Sequence, residues 1–355
     1  MKHQQITTLL LGACLYANGV ASNPAPGEST VMSVTNAVDI QNVLRQFTGG
    51  DVLILFDCDD VLLAPATQIF RRDPKHTTEN KNDFGRLLLQ SNPNMSKEES
   101  LARSQTVLAT SRAFLVSEKM PAIVEEVQAS GTPCIVITAL PPRPAPCMPD
   151  PVEWRNGLLS KFGFHFEKSW PDTPDVVLES AEGVYKPVFS KGVLFCGSTS
   201  KDKSLDAFLT HVKKEPKVIV LIDDSIKNID AVNAYCKAHN IKFVGIHYTE
   251  YSKHDSVLPS SWERSEFQMK TLLEHDIWLP DEILPIEFSL DWPALCKKAI
   301  EKRNVPSTKE LLKRVDKKTM STQMLELAEQ SGDKEIIECV TTWAREADSS
   351  ADPQN

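Results

Sequence analysis

The chain has 355 residues, 41% of them hydrophobic and 25% charged, the balance of a globular protein with length for one large domain or two modest ones. Its formal net charge of -9 argues against a nucleic-acid partner, because binding a phosphate backbone calls for a net basic surface. It leaves phosphorylated small molecules open, since a bound metal ion reverses the local field of an acidic site.

The N-terminus reads as a leader. Lys2 and His3 precede an uncharged apolar run over 6–17, then come Gly19, Val20 and Ala21 and a stretch rich in Ser, Pro and Gly. That layout predicts a signal peptide over 1–21, too short to span a bilayer, and hence an exported chain, periplasmic or secreted. Leu11-Gly12-Ala13-Cys14 also resembles a lipobox with Cys14 as the lipid-bearing residue, but the apolar run before it is short and plain export is preferred. No later segment is long enough to cross a membrane. The cysteines after the leader show no CxxC pair and no Cys/His ligand spacing, so neither a disulfide framework nor a zinc site is expected.

Residues 32–48 are predicted as a short amphipathic helix, with Val38, Ile40, Val43, Leu44 and Phe47 on its apolar side and Gly49-Gly50 ending it. The run 51–56 is continuous and β-rich, the pattern of a central parallel strand. Residues 64–112 read as a mostly helical insertion, with helices near 81–90 and 96–110, the second opened by the capping-box spacing of Ser96 and Glu99. A helix over 119–130, a second buried strand over 133–138, a proline-rich irregular segment over 141–150 and a helix over 152–162 follow. Short extended pieces at 176–178 and 192–195 lead to a helix at 203–213, a third strand over 217–222, a helix over 227–239 and a fourth strand over 241–246.

From about 258 the pattern is helical, with Pro306-Ser307-Thr308-Lys309-Glu310 read as a proline followed by a capping box, and later helices over 320–330 and up to 345. Helix–strand alternation with continuous apolar strands calls for an α/β fold whose mostly parallel sheet is covered on both faces. The expected division is a core of 32–63 and 113–257, the insertion 64–112, and a mostly helical C-terminal region 258–355.

Open parallel sheets bind ligands beyond the carboxyl ends of their strands. The first strand ends in Asp57-Cys58-Asp59-Asp60, the second in Thr138 and the third in Asp223-Asp224-Ser225. Carboxylates gathered at two strand ends repel one another unless a cation lies between them, and Mg2+, which demands hard oxygen ligands, meets that need.

Phe56-Asp57-Cys58-Asp59-Asp60-Val61 resembles the first motif of the haloacid-dehalogenase superfamily, a hydrophobic strand followed by Asp-x-Asp-x-Thr/Val. Ile135–Thr138 resembles its second motif, Lys201 with Leu205 and Phe208-Leu209 its lysine motif, and Asp223-Asp224 with Asn228 its acidic fourth motif. The four stand in family order over residues 51–246, and the chain is similar in particular to an exported, poorly characterised bacterial subgroup, the DUF2608-like proteins. The resemblance implies a Rossmannoid three-layer fold with a parallel central sheet, a small helical cap and a helical C-terminal extension.

It also implies roles. Asp57 is the nucleophile, giving an aspartyl phosphate that water hydrolyses. Asp59 is the acid and base, and its presence points to phosphoryl transfer, because the dehalogenating relatives lack that second carboxylate. Asp57, Asp224 and the backbone carbonyl of Asp59 hold Mg2+, with Asp223 a second candidate ligand, while Asn228 binds the metal through water or orients Asp224. Thr138 and a lysine serve the transferring phosphoryl group. Lys201 and Lys203 both qualify, and family spacing favours Lys201.

Two features depart from the pattern. Ala139-Leu140 stands where closer relatives have an arginine after the alanine, with Arg143 as a possible substitute, and Asp60 adds a negative charge without an evident purpose. The function expected is a Mg2+-dependent phosphomonoester hydrolase acting on a phosphorylated small molecule or phosphoprotein. The rivals are an exported binding or effector protein on the same scaffold, and a phosphotransferase or phosphomutase. Arg71, Arg72 and Lys75 of the insertion are weaker candidates for substrate contact.

Overall fold

A computed structural model describes residues 28–67, 69–70, 83–145, 147–179, 185–250, 262–284 and 289–345. The predicted signal peptide, Cys14, Arg71, Arg72 and Lys75 lie outside the described residues. In chain order the first elements are β1 (Ser29–Val34), α1 (Ala37–Leu44), β2 (Val52–Phe56), β3 (Leu63–Pro65), α2 (Asp83–Ser91), α3 (Lys97–Thr110), β4 (Ala113–Leu115), α4 (Met120–Ala129) and β5 (Cys134–Thr138). Then come α5 (Pro151–Lys161), β6 (Val176–Val177), β7 (Val188–Ser190), β8 (Val193–Phe195), α6 (Lys201–Val212), β9 (Val218–Asp223), α7 (Ile226–Ala238) and β10 (Lys242–Tyr248). The C-terminal helices are α8 (Trp262–His275), α9 (Trp292–Glu301), α10 (Val305–Leu312), α11 (Lys317–Ser331) and α12 (Lys334–Arg345).

The main sheet runs β1-β10-β9-β2-β5-β8-β7-β6, parallel from β1 to β8 and antiparallel at β7 and β6. Every residue of β2 is buried, as a strand covered on both faces requires. Its side chains alternate between two cores. Val52, Ile54 and Phe56 join Ile40 and Leu44 of α1, Ile123 and Val124 of α4 and Leu159 of α5. Leu53 and Leu55 join Leu205 and Phe208 of α6 and Ile229 and Val232 of α7. The result is the three-layer α/β arrangement, of Rossmannoid type, that the alternation of elements foretold.

The expected helix over 32–48 needs correction. Residues 29–34 form the edge strand β1, paired with β10, and the helix starts only after Asn36, whose side chain accepts from the Asp39 amide at 3.0 Å. β1 is exposed along much of its length, so it lacks the unbroken apolar run by which the inner strands were recognised. The sheet is also wider than four strands, because β8 lies beside β5 and only three of its residues are in strand form. α6 begins at Lys201, two residues before the expected start. At the C-terminus the expected capping box is absent: Asn304 caps α10, accepting from the Ser307 amide at 3.0 Å, and Ser307 is buried inside the helix. The Ser96–Glu99 capping box is formed as expected.

β3 and β4 pair as an antiparallel ribbon, from which the chain leads out to α2 and returns by α3. Ile69, Phe84, Leu87, Leu88 and Val107 share one hydrophobic cluster with Met269, Leu272 and Trp278 of the C-terminal region. Ser307 donates to the Thr110 carbonyl at 2.9 Å, and Arg103 pairs with Asp276. The α9–α12 helices have a separate core that includes Leu295, Ile300, Leu311, Met324, Ile336 and Val340.

Candidate functional site

The register of the central strands sets the site. Phe56 of β2 lies opposite Ile222 of β9, so Asp57 and Asp223 leave the sheet side by side, and the Asp57 amide donates to the Ile222 carbonyl at 2.9 Å. Ligand oxygens of Asp57, Asp223 and Asp224 all lie within 4.8 Å of one another, at the carboxyl ends of adjacent parallel strands. Lys201, on the first turn of α6, is buried between two of them, with Nζ 2.7 Å from Asp57 Oδ1 and 2.7 Å from Asp223 Oδ2. Lys203 is exposed, so of the two lysines Lys201 is the one that the fold sets against the carboxylates.

Asp223 is the most fully held acid. Besides Lys201, it accepts from the Ser225 amide at 2.8 Å and from Asn228 Nδ2 at 3.0 and 3.3 Å. Asn228 therefore orients Asp223 rather than Asp224. The Asp224 carbonyl is 3.0 Å from His247 Nε2 on the neighbouring strand. Asp57 Oδ1 also accepts from the Cys58 amide at 2.7 Å.

Burial, with Asp223 and Asp224 nearby, holds the Asp57 carboxyl well above the usual carboxylate range despite Lys201. Burial likewise raises the Asp224 carboxyl to about 6, helped by the charge of Asp223 and opposed by Lys201. Three carboxylates against one ammonium leave the cluster electron-rich and desolvated. An all-oxygen donor set of this charge fits a hard divalent cation such as Mg2+ and does not fit a thiolate-bound metal. The neighbouring Cys58 thiol is pushed up to about 12 by burial and remains neutral.

Asp59 turns the other way. Arg155 Nη2 donates to both of its oxygens, at 2.8 and 3.1 Å, and the Thr138 hydroxyl is 3.5 Å from Oδ2. Thr138 is fully buried and accepts from the Leu140 amide at 3.2 Å. Asp60 has φ 62, a left-handed turn position that aspartate tolerates better than most residues, which gives the third acid of the motif a conformational reason. Its amide donates to the Leu63 carbonyl at 2.7 Å, bending the chain into β3.

Arg143 does not enter the cluster. It pairs with Glu98 on α3 and with the Tyr185 hydroxyl, so it cannot replace the missing arginine of the second motif. Arg155 was invisible to motif reading because it lies on α5, outside all four motifs. The one available signal was an arginine on the first helix after the second strand, beyond the proline-rich segment.

A Rossmannoid α/β sheet with clustered aspartates at the ends of two adjacent strands is the class that fold and site define. The chain belongs to the family described as "Protein of unknown function (DUF2608)", whose model matches residues 33–284. It is 24% identical over 252 residues to an uncharacterized protein of Rickettsia prowazekii, covering 70% of this chain and 86% of that one. It is also 23% identical over 264 residues to a putative outer membrane protein of Chlamydia pneumoniae, covering 68% of this chain and 83% of the relative. A putative outer membrane protein of Chlamydia trachomatis is 31% identical over 99 residues, 28% of this chain and 35% of its own length. No solved structure matches the chain.

Proposed function

We propose that this protein is a Mg2+-dependent phosphomonoester hydrolase of the haloacid-dehalogenase kind, working through an aspartyl phosphate on Asp57. The observation that carries the reading is the meeting of Asp57, Lys201, Asp223 and Asp224 at the carboxyl ends of β2 and β9. Asp57, Asp224 and the Asp59 carbonyl would hold Mg2+, which supplies positive charge to offset that of the phosphoryl group. Asp223 acts as the anchor for Lys201 and Asn228.

In this reading an Asp57 carboxylate oxygen attacks phosphorus, and the bond to the leaving oxygen breaks as Asp59 supplies a proton. Lys201 neutralises charge on the phosphoryl oxygens, and the Thr138 hydroxyl turns from its long contact with Asp59 to donate to one of them. Asp59, now a carboxylate, takes a proton from water, which attacks phosphorus and releases Asp57. The insertion 64–112 serves as a cap beside the site, and the leader 1–21 directs export. The names of the two chlamydial relatives support a surface or exported location, and no helix among the described residues is long and apolar enough to cross a membrane.

The test is phosphate release from a panel of phosphomonoesters by the mature chain, with Mg2+ or with EDTA, beside Asp57→Asn. Mg2+-dependent release lost in the variant supports the reading. Release that survives Asp57→Asn, or a folded, Mg2+-binding protein inactive across the panel, would sink it. Phosphoryl transfer to added alcohols in place of water would redirect the reading to a phosphotransferase.

A further inference from the structure

Asp223 and Asp224 are held by different means. The Asp223 carboxylate accepts from Lys201, from the Ser225 amide and from Asn228. No side chain among the described residues donates to the Asp224 carboxylate, although the proposed metal site depends on its aim. The direction of Asp224 is therefore set by the backbone that carries it.

That backbone is gripped at both ends of one peptide unit. The peptide is planar and trans, so the Asp224 carbonyl and the Ser225 N–H point to opposite sides of a single rigid plate. Asp223 Oδ1 takes the N–H end at 2.8 Å, and His247 Nε2 takes the carbonyl end at 3.0 Å. Sheet register brings the ring there. Ser33 of β1, His247 of β10 and Asp223 of β9 lie in one row across three parallel strands, and the His247 side chain is half-buried. A carbonyl can only accept, so Nε2 carries a proton and donates. Nδ1 lies 3.4 Å from the Ser33 hydroxyl, a long contact that steadies the other edge of the ring.

We infer that His247 is a positioning residue of the metal site: by holding the Asp224 carbonyl from the neighbouring strand, it locks the turn that aims Asp223 and Asp224 beside Asp57. This rests on the Mg2+ site of the phosphatase reading and adds to it a residue that none of the four motifs contains. Without the ring donor the plate keeps one grip. It is then free to turn about the bonds on either side, which swings the Ser225 N–H off Asp223 and slackens the backbone under Asp224. Both aspartates lose aim through one broken hydrogen bond, although His247 touches neither carboxylate. Residues that orient a metal's ligands in this way govern affinity without binding the ion themselves.

The experiment is isothermal titration with Mg2+ alone, on folded wild type, His247→Leu and His247→Gln. Expected for His247→Leu, which removes the donor, is an affinity weaker by about 10- to 100-fold. His247→Gln lacks the ring but carries an N–H donor of similar reach, and should stay within about threefold of wild type. That rescue separates a hydrogen bond to the Asp224 carbonyl from mere filling of space. Long-range 1H–15N spectra of wild type, with the His247 signals assigned by their loss in His247→Gln, should show a proton on Nε2.

An affinity of His247→Leu within about threefold of wild type, or equal weakening in the Leu and Gln variants, would overturn the inference and leave the phosphatase reading standing. If His247→Leu does not fold, the wild-type spectra decide, because a ring protonated on Nδ1 alone cannot donate from Nε2 and overturns the inference by itself. A wild type that binds no Mg2+ removes the metal site of the phosphatase reading, and this inference with it.

Discussion

Replacing Asp224 by Asn should stabilise the metal-free protein at neutral pH while abolishing its response to Mg2+. The Asp224 carboxyl stands at about 6 in the fold against an ordinary 3.8, because burial and the charge of Asp223 disfavour its ionised form. A folded-state value above the unfolded one means that this group's contribution is fully favourable below pH 3.8 and is lost as the pH rises through 6. A gap of about two pKa units corresponds to about 3 kcal/mol of penalty above pH 7. Asn keeps the shape and removes the charge. Urea unfolding in EDTA at pH 7.5 should therefore find Asp224→Asn more stable than wild type by up to about 3 kcal/mol, and the gain should shrink as the pH falls from 6 toward 4. With Mg2+ the order reverses, because the ion stabilises only the chain that binds it. A variant less stable than wild type in EDTA at pH 7.5, or one still stabilised by Mg2+, would refute the placement of charge argued for this cluster.

Three further outcomes follow from the contacts around the site and the insertion. Lys201→Met leaves Asp57 and Asp223 buried without their ammonium, and should cost about 3–5 kcal/mol in urea unfolding and remove turnover, while Lys203→Met at its exposed position leaves turnover within about twofold. Asn228→Ala removes the amide donor from Asp223, leaving Lys201 and the Ser225 amide, and isothermal titration should show Mg2+ affinity weakened by about 10-fold or more, as for other residues that orient a metal's surroundings. Leu272→Ala, in the cluster shared by α8 and the insertion, should cost about 2–5 kcal/mol and lower the melting temperature of the chain.

The inner strands were legible because β2, β5 and β9 are apolar without interruption and end in polar residues, a pattern with one physical solution in a two-sided parallel sheet. Asp57, Thr138 and Asp223 could be placed at the carboxyl ends of strands for the same reason, since strand ends announce themselves. β1 escaped because an edge strand lacks that unbroken run, and the 32–48 window took its helical character from α1. Asn228 was expected to orient Asp224 and instead donates to Asp223: at the turn from β9 into α7, spacing along a helix does not decide which of two adjacent aspartates a side chain reaches. Arg155 was missed because its partner lies 96 positions away and nothing local distinguishes it from a solvated arginine. The Ser307 cap failed to local competition, as Asn304 and the proline in the first turn start the helix earlier.

The moorings of α3 join the segment after β5 to the C-terminal helices. On one side Gln105, buried, donates to the Arg143 carbonyl at 2.9 Å and to that of Pro141 at 3.3 Å, gripping the segment that leaves β5. On the other, Arg103 holds Asp276 and Ser307 holds Thr110. A helix tied on both flanks is held in place between the segment that leaves β5 and the C-terminal helices. Ser307 lies beyond residue 284, where the family model ends. The C-terminal helices of this chain thus act as a buttress, and shortening the protein to its family core would remove one of the ties on α3 while leaving the strand ends that carry the aspartates.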